Sequence, residues 1–222
     1  MNNKNIKHWE GLKLTIEQLD SLRELGNIGS GHAITALSNL LNRKIEVSLT
    51  SAEIIPFWKV PEMIDQTEVE VFGIYSEIPF DSNLSIIQIF TKESLINLIN
   101  LLNVNNKISH EKIRRIEDLD DLSTSIINEI GNILTGHYAS ALADLLSIKL
   151  VPNVPTVALD TLSAILDSII AKYSQLSDNL LIIKTRITLQ EIKLKCTICL
   201  IPSINILKDL FKILNIKYNM NL

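Results

Sequence analysis

The sequence predicts an α+β fold: an internal duplication with pseudo-two-fold symmetry, in which an antiparallel sheet packs against long helices. Three observations predict it. Shifted by 105 residues, Glu24–Lys44 (ELGNIGSGHAITALSNLLNRK) and Glu129–Lys149 (EIGNILTGHYASALADLLSIK) agree at 11 of 21 positions. Each copy is followed by two adjacent strand-like segments with no helix between them, the pattern of antiparallel neighbours rather than βαβ units. Glycine is scarce, 7 in 222 residues, yet Gly26, Gly29, Gly31, Gly131 and Gly136 crowd into the two repeated windows.

Taken in order, each repeat opens with a long amphipathic helix, about Thr15–Asn42 and Asp118–Ser147. A strand follows, Ile45–Ile55 and Ile148–Leu159, then an alternating, β-branched pair: Glu68–Ile78 with Asn83–Thr91, and Asn179–Leu189 with Lys193–Ile201. Each half closes with a helix, Glu93–Asn103 and Ser203–Leu214. The second half carries an extra amphipathic helix, Thr161–Ser174, where the first has a Pro56–Gln66 loop; the polar stretch Asn105–Glu117 joins the halves. One domain over residues 1–222 is expected, made of repeats at about 15–104 and 118–216.

Composition bounds the function. Hydrophobic residues make up 46% and charged residues 21%, values of a folded globular chain. The 21 basic and 25 acidic side chains leave a net charge of −4, with no basic excess for a nucleic-acid backbone. The polar start MNNKNIKHWEGLKL has no signal-peptide pattern, and no apolar run approaches the roughly 18 residues that span a bilayer. A cytoplasmic protein without membrane insertion is expected. Cys196 and Cys199 form a CxxC, but on a strand an odd spacing sends the two side chains to opposite faces, so two ordinary strand cysteines are expected.

A helical wheel divides the repeated residues. Leu22, Gly26, Gly29, Ala33, Ala36, Leu37 and Leu40 share one face of the first helix; Asp20, Glu24, Asn27 and Gly31 share the opposite one. The second helix matches, with Ile127, Gly131, Leu134, Tyr138, Ala141 and Leu145 inward and Ser125, Glu129, Asn132 and Gly136 outward. A Glu and an Asn three residues apart commonly mark a solvated face. Here both copies keep Glu, Asn and the outward Gly while nearby polar positions drift (Arg23/Asn128, Asn39/Asp144), which favours a duplicated site.

A lone exposed carboxylate with an amide makes a poor metal site, and no metal ligands are expected. An amide can donate to and accept from one water at once, which suits aiming that water at an electrophile; the carboxylate can pair with a partner's cation. Such a pair fits phosphoryl hydrolysis, with the phosphoryl group and any metal supplied by the partner. Core glycines permit close approach; outward ones give clearance beside each Asn. The glycines of GNIGSG lie within a helix, so they form no dinucleotide or phosphate-binding loop. His110-Glu111 lacks the second His of a zinc motif, and symmetric His32 and His137 are read as structural rather than part of the site.

The duplicated pattern [D/S]-x3-E-x2-N, here Asp20-Glu24-Asn27 and Ser125-Glu129-Asn132, resembles that of the CheC/CheX/FliY phosphatases of bacterial and archaeal chemotaxis, and GNIGSGHAITALSNLLN is similar to the CheC branch. The likeness covers nearly the whole chain. The family's proline 23 residues after the Asn is Pro155 in the second copy; Thr50 stands there in the first. The resemblance implies a CheC-like fold and a two-component signalling hydrolase acting on the phosphorylated response regulator CheY. Asn27 and Asn132 would orient the attacking water, and Glu24 and Glu129 would pair with the regulator's lysine. Asp20, Gly31, Ser125 and Gly136 would meet the partner. No cofactor of its own is implied; Mg²⁺ would sit on the regulator. CheD, a receptor-modifying deamidase, is a further partner of CheC-type proteins, for which the extra helix Thr161–Ser174 is the candidate contact. The alternative is a non-catalytic binding module of the same fold, serving CheD or flagellar switch components.

Overall fold

Thr15 starts the first long helix. Its hydroxyl accepts from the Gln18 amide while the Gln18 side chain accepts from the Thr15 amide, so two of the orphan donors at the helix start are satisfied reciprocally. In the computed structural model, which describes residues 14–56, 59, 62, 69–79, 84–103, 106–173, 179–192, 194–202 and 211–212, this helix is α1, Ile16–Leu41. Its counterpart α3, Asp121–Leu146, is capped by Asp120 through the Ser123 amide at 2.7 Å. Both helices have 26 residues, and both stop on a left-handed residue that is not glycine: Asn42 at φ 49° and Ser147 at φ 52°.

Between them lie β1 (Glu46–Pro56), β2 (Glu70–Ile78), β3 (Leu84–Thr91) and α2 (Lys92–Leu102), the last capped by the Thr91 hydroxyl. After α3 come β4 (Thr156–Thr161), α4 (Leu162–Tyr173), β5 (Asn179–Leu189) and β6 (Leu194–Pro202). The Asn105–Glu117 link contains a 3-10 turn, His110–Lys112; a second, Ile116–Asp118, ends it and takes in Asp118, so α3 starts three residues later than expected. The Pro56–Gln66 loop and the Ser203–Leu214 helix lie outside the described residues apart from Pro56, Lys59, Glu62, Phe211 and Lys212; Phe211 is buried.

All six strands form one antiparallel sheet in the order β1-β5-β6-β3-β2-β4. The hairpins β2–β3 and β5–β6 stay intact, but each half's first strand pairs with the other half's hairpin. Read from either edge, the order is the same once the halves are exchanged. One row crosses the whole sheet: Val157, Ile74, Gln88, Ile198, Thr185 and Thr50.

The expected strand Ile148–Leu159 is shorter in the structure. Only Thr156–Thr161 is strand, because Pro152 and Pro155 offer no amide to a ladder; the run between them keeps a single backbone bond, Asn153 N–H to the Glu77 carbonyl at 2.7 Å.

The long helices and α2 cover one face of the sheet. Leu22, Leu25 and Leu37 of α1, Ile127, Ile130 and Tyr138 of α3, and Ile96 and Ile99 of α2 join Phe72, Ile74, Phe90, Ile183 and Ile198 in the main core. On the opposite face Leu162, Ile165, Leu166 and Ile169 of α4 pack on Val71, Ile87, Ile89 and Ile201. Cys196 belongs to the first core and Cys199 to the second, and both are free thiols, as their odd spacing requires. One inward assignment is corrected: Leu40 is 40% exposed, since a stripe tracked at 100° per residue rotates off the sheet by the last turn. Leu145 and Ala36 are half-buried.

Candidate functional site

Asp20, Glu24, Asn27 and Gly31 are all exposed along one stripe of α1, opposite its buried Leu22, Gly26, Gly29, Ala33 and Leu37. The Asn27 amide donates to a Glu24 carboxylate oxygen at 3.5 Å, so the two side chains lie side by side. Asp20 is held by Arg23 in an exposed ion pair at 2.6 Å. On α3, Ser125, Glu129 and Asn132 are exposed and Gly136 is half-buried. The Ser125 hydroxyl donates to the Asp121 carbonyl at 2.8 Å, whereas among the described residues the Glu129 and Asn132 side chains have no partner. The two pairs therefore differ at rest: one amide rests on its glutamate, the other is open.

The glycines separate by what a side chain would meet. A Cβ on Gly26 would sit 2.6 Å from methyls of Thr50 and Ile183; on Gly131, 2.7 Å from Ile74; on Gly29, 2.5 Å from the Tyr138 ring. These three let helix approach sheet, or helix approach helix. At Gly31 and Gly136 an added Cβ meets nothing within 4 Å among the described residues, so no packing there requires glycine. A depression of 680 Å³ adjoins Gly136, lined among others by Ser140, Asp144, Lys149 and Val151. The 650 Å³ cavity around Glu70, Lys92, His110 and Lys195 shares no residue with either pair.

Behind each Asn, the carbonyl of the preceding glycine takes an extra hydrogen bond, but from different directions. The Gly26 carbonyl accepts from the Ser30 hydroxyl at 2.6 Å, within its own helix, and from Tyr138 of α3 at 3.5 Å. The Gly131 carbonyl accepts from Gln88 of the sheet at 3.0 Å. Nothing in the alternation of β3 singles out Gln88, beyond its being the one amide in a mostly apolar strand.

His32 and His137 are exposed, and neither makes a hydrogen bond among the described residues, so the structural role read from sequence finds no core packing to serve. No group of three metal-binding side chains occurs among the described residues, and no helix there is long and apolar enough to cross a membrane.

Across 202 residues the chain is 34% identical to the CheY-P phosphatase CheC of Bacillus subtilis (strain 168), spanning 88% of this chain and 92% of that one. The chain belongs to the CheC-like family. The CheC-like family model matches residues 17–48 and 122–166, two segments that contain both Glu–Asn pairs. The flagellar motor switch phosphatase FliY of the same Bacillus is 26% identical over 140 residues, 63% of this chain and 35% of that protein. Among solved structures, FliY of Thermotoga maritima superposes with a TM-score of 0.66 over 92% of this chain and 98% of that one at 20% identity, a likeness of fold alone. CheC-like membership agrees with the antiparallel α+β architecture and the two symmetric stripes described above.

Proposed function

We propose that this CheC-like chain is a chemotaxis phosphatase that hydrolyses the aspartyl-phosphate of the response regulator CheY-P. The observation that carries the proposal is the presentation of Glu and Asn side by side on the exposed stripe of both long helices, each with an open glycine one turn further on. The relative that is 34% identical bears the name of that activity.

In this reading the stripe docks over the regulator's phosphorylated aspartate. Asn27 or Asn132 holds one water in line with the phosphorus, its carbonyl accepting from the water and its amide donating to it. As the water oxygen bonds to phosphorus, the bond from phosphorus to the aspartyl oxygen breaks, giving inorganic phosphate and a free carboxylate. Glu24 or Glu129 pairs with the regulator's lysine and fixes the docking angle. Gly31 and Gly136 leave room for the regulator's backbone beside each Asn. Mg²⁺, where the reaction uses it, belongs to the regulator. Helix α4, the candidate contact for CheD, covers the opposite face of the sheet, so such a partner would not compete for either pair.

The test is phosphate release from CheY-P by wild type, Asn27→Ala, Asn132→Ala and the double variant. Each single variant is expected to keep the activity of the other site, and the double variant to fall by at least about a hundredfold, the scale of a lost positioning group. A double variant as active as wild type would exclude water positioning and leave a non-catalytic binding module.

A further inference from the structure

Gln88 is fully buried in the middle of the sheet, between Ile74 and Ile198 on the neighbouring strands. Its side-chain nitrogen donates to the Gly131 carbonyl at 3.0 Å and to the Thr135 hydroxyl at 2.8 Å, and Thr135 is also bonded to Ser76 of β2 at 3.2 Å. The Gly131 carbonyl can only accept, so the amide nitrogen must face it. The Gln88 oxygen is then left buried with no donor among the described residues. A buried unpaired carbonyl is costly, and an apolar residue at this position would avoid it. The repeat supplies the comparison: Gly131 faces Ile74 and Pro155 as Gly26 faces Ile183 and Thr50, so the position symmetric to Gln88, the hairpin partner of Ile74, is Leu200, the hairpin partner of Ile183. Beneath α1 the row across the sheet offers Thr50 and Thr185, whose hydroxyls bond each other at 2.9 Å and not the helix.

We infer that Gln88, acting with Thr135, is a positioning residue for the second site: it fixes α3 on the sheet so that Glu129 and Asn132 project at a set height and angle. This deepens the activity proposed above and rests on it for its kinetic consequence. Apolar burial is non-directional, and at Gly131 the helix has no side chain to interlock with Ile74, so packing holds α3 less tightly at this turn than on either side of it. Two hydrogen bonds one helical turn apart, from one planar amide, set its height and angle there, since each weakens steeply with angle. The carbonyl they hold belongs to the residue just before Asn132. Among the described residues site one has no such link to the sheet; its Gly26 carbonyl is tied to its own helix and to α3.

The test uses the full chain with one site silenced at a time. In the Asn27→Ala background, where only the second site acts, Gln88→Leu and Thr135→Val are each expected to lower kcat roughly tenfold with KM unchanged, while Thr135→Ser keeps the activity. In the Asn132→Ala background Gln88→Leu is expected to change kcat by less than about twofold. The melting temperature of Gln88→Leu should hold or rise, which separates positioning from loss of fold. Amide hydrogen exchange reads the same inference without the phosphatase assay: residues 129–136 should exchange faster in Gln88→Leu and residues 24–31 should not. Equal losses of kcat in both backgrounds, or unchanged exchange in 129–136, overturn the inference. Retained activity in the Asn27/Asn132 double variant instead overturns the activity proposal, and exchange alone then decides whether Gln88 fixes α3.

Discussion

At Gly29 and Gly31, two residues apart on α1, the absence of a side chain answers opposite needs. Gly29 faces the buried Tyr138 ring, which cannot retreat, and Gly31 faces open space. Gly29→Ala is therefore expected to lower stability by about 1–3 kcal/mol through overpacking. Gly31→Ala and Gly136→Ala should each raise it by about 1 kcal/mol, the helical advantage of alanine. Chemical denaturation of the three variants checks the signs. A glycine standing where alanine would be more stable is costing the fold something; under the activity proposed above, that cost is clearance for the regulator, and the same two substitutions should raise KM for CheY-P with little change in kcat.

The helices stop where left-handed residues let their last carbonyls be capped, and a chain poor in glycine uses Asn42 and Ser147 for the purpose. Asn tolerates that conformation through its short amide; Ser gains less. Ser147→Gly should stabilise the protein by about 1 kcal/mol, read from the urea midpoint, and Asn42→Gly by less. The bounds of α1 and the end of α3 were legible in the sequence because helix ends are set locally, Thr15 and Asn42 lying within a turn of what they cap; the start of α3, expected at Asp118, falls at Asp121, where Asp120 caps it. The outward stripes were legible for the same reason, since 3.6-residue periodicity decides a helix face within a few turns. Strand exchange was not. Alternation tells which face of a strand is buried but not which strand lies beside it, so nothing in Glu46–Pro56 announces β5 as its neighbour. Gln88 escaped notice likewise: its bonds span 43 and 47 residues of sequence. Pro152 and Pro155 did carry a local signal against a strand at Ile148, and β4 is shorter for it.

At the scale of the whole fold, three acidic protons among the described residues are held by burial in the core about the sheet. Burial pushes the Cys199 thiol up to about 12, and raises the Cys196 thiol and the Tyr138 hydroxyl well above their ordinary values. In the unfolded chain thiols ionise near 8.5 and tyrosine near 10, so between those values and the folded ones the native state binds more protons than the unfolded state. Stability is then full below about pH 8.5 and falls as pH rises, by about 1.4 kcal/mol per unit for each group in its window. Urea midpoints at pH 8, 9.5 and 10.5 should decline, and Cys199→Ala should flatten the slope. A slope that Cys199→Ala leaves untouched would place the alkaline loss elsewhere.

The seam between α1 and α3 carries a consequence for ancestry. Gly29 of the first repeat lies against Tyr138 of the second; in the repeat alignment Gly29 corresponds to Leu134 and Ala33 to Tyr138, and the pseudo-two-fold sets Ala33 opposite Leu134. Two copies of the first repeat would meet there as glycine on alanine, leaving a void; two copies of the second would meet as leucine on tyrosine, which do not fit. Small has been matched to large only across the pair as it now stands. Neither half paired with a copy of itself would reproduce this fit, so a symmetric ancestor of either half would need other side chains at this seam.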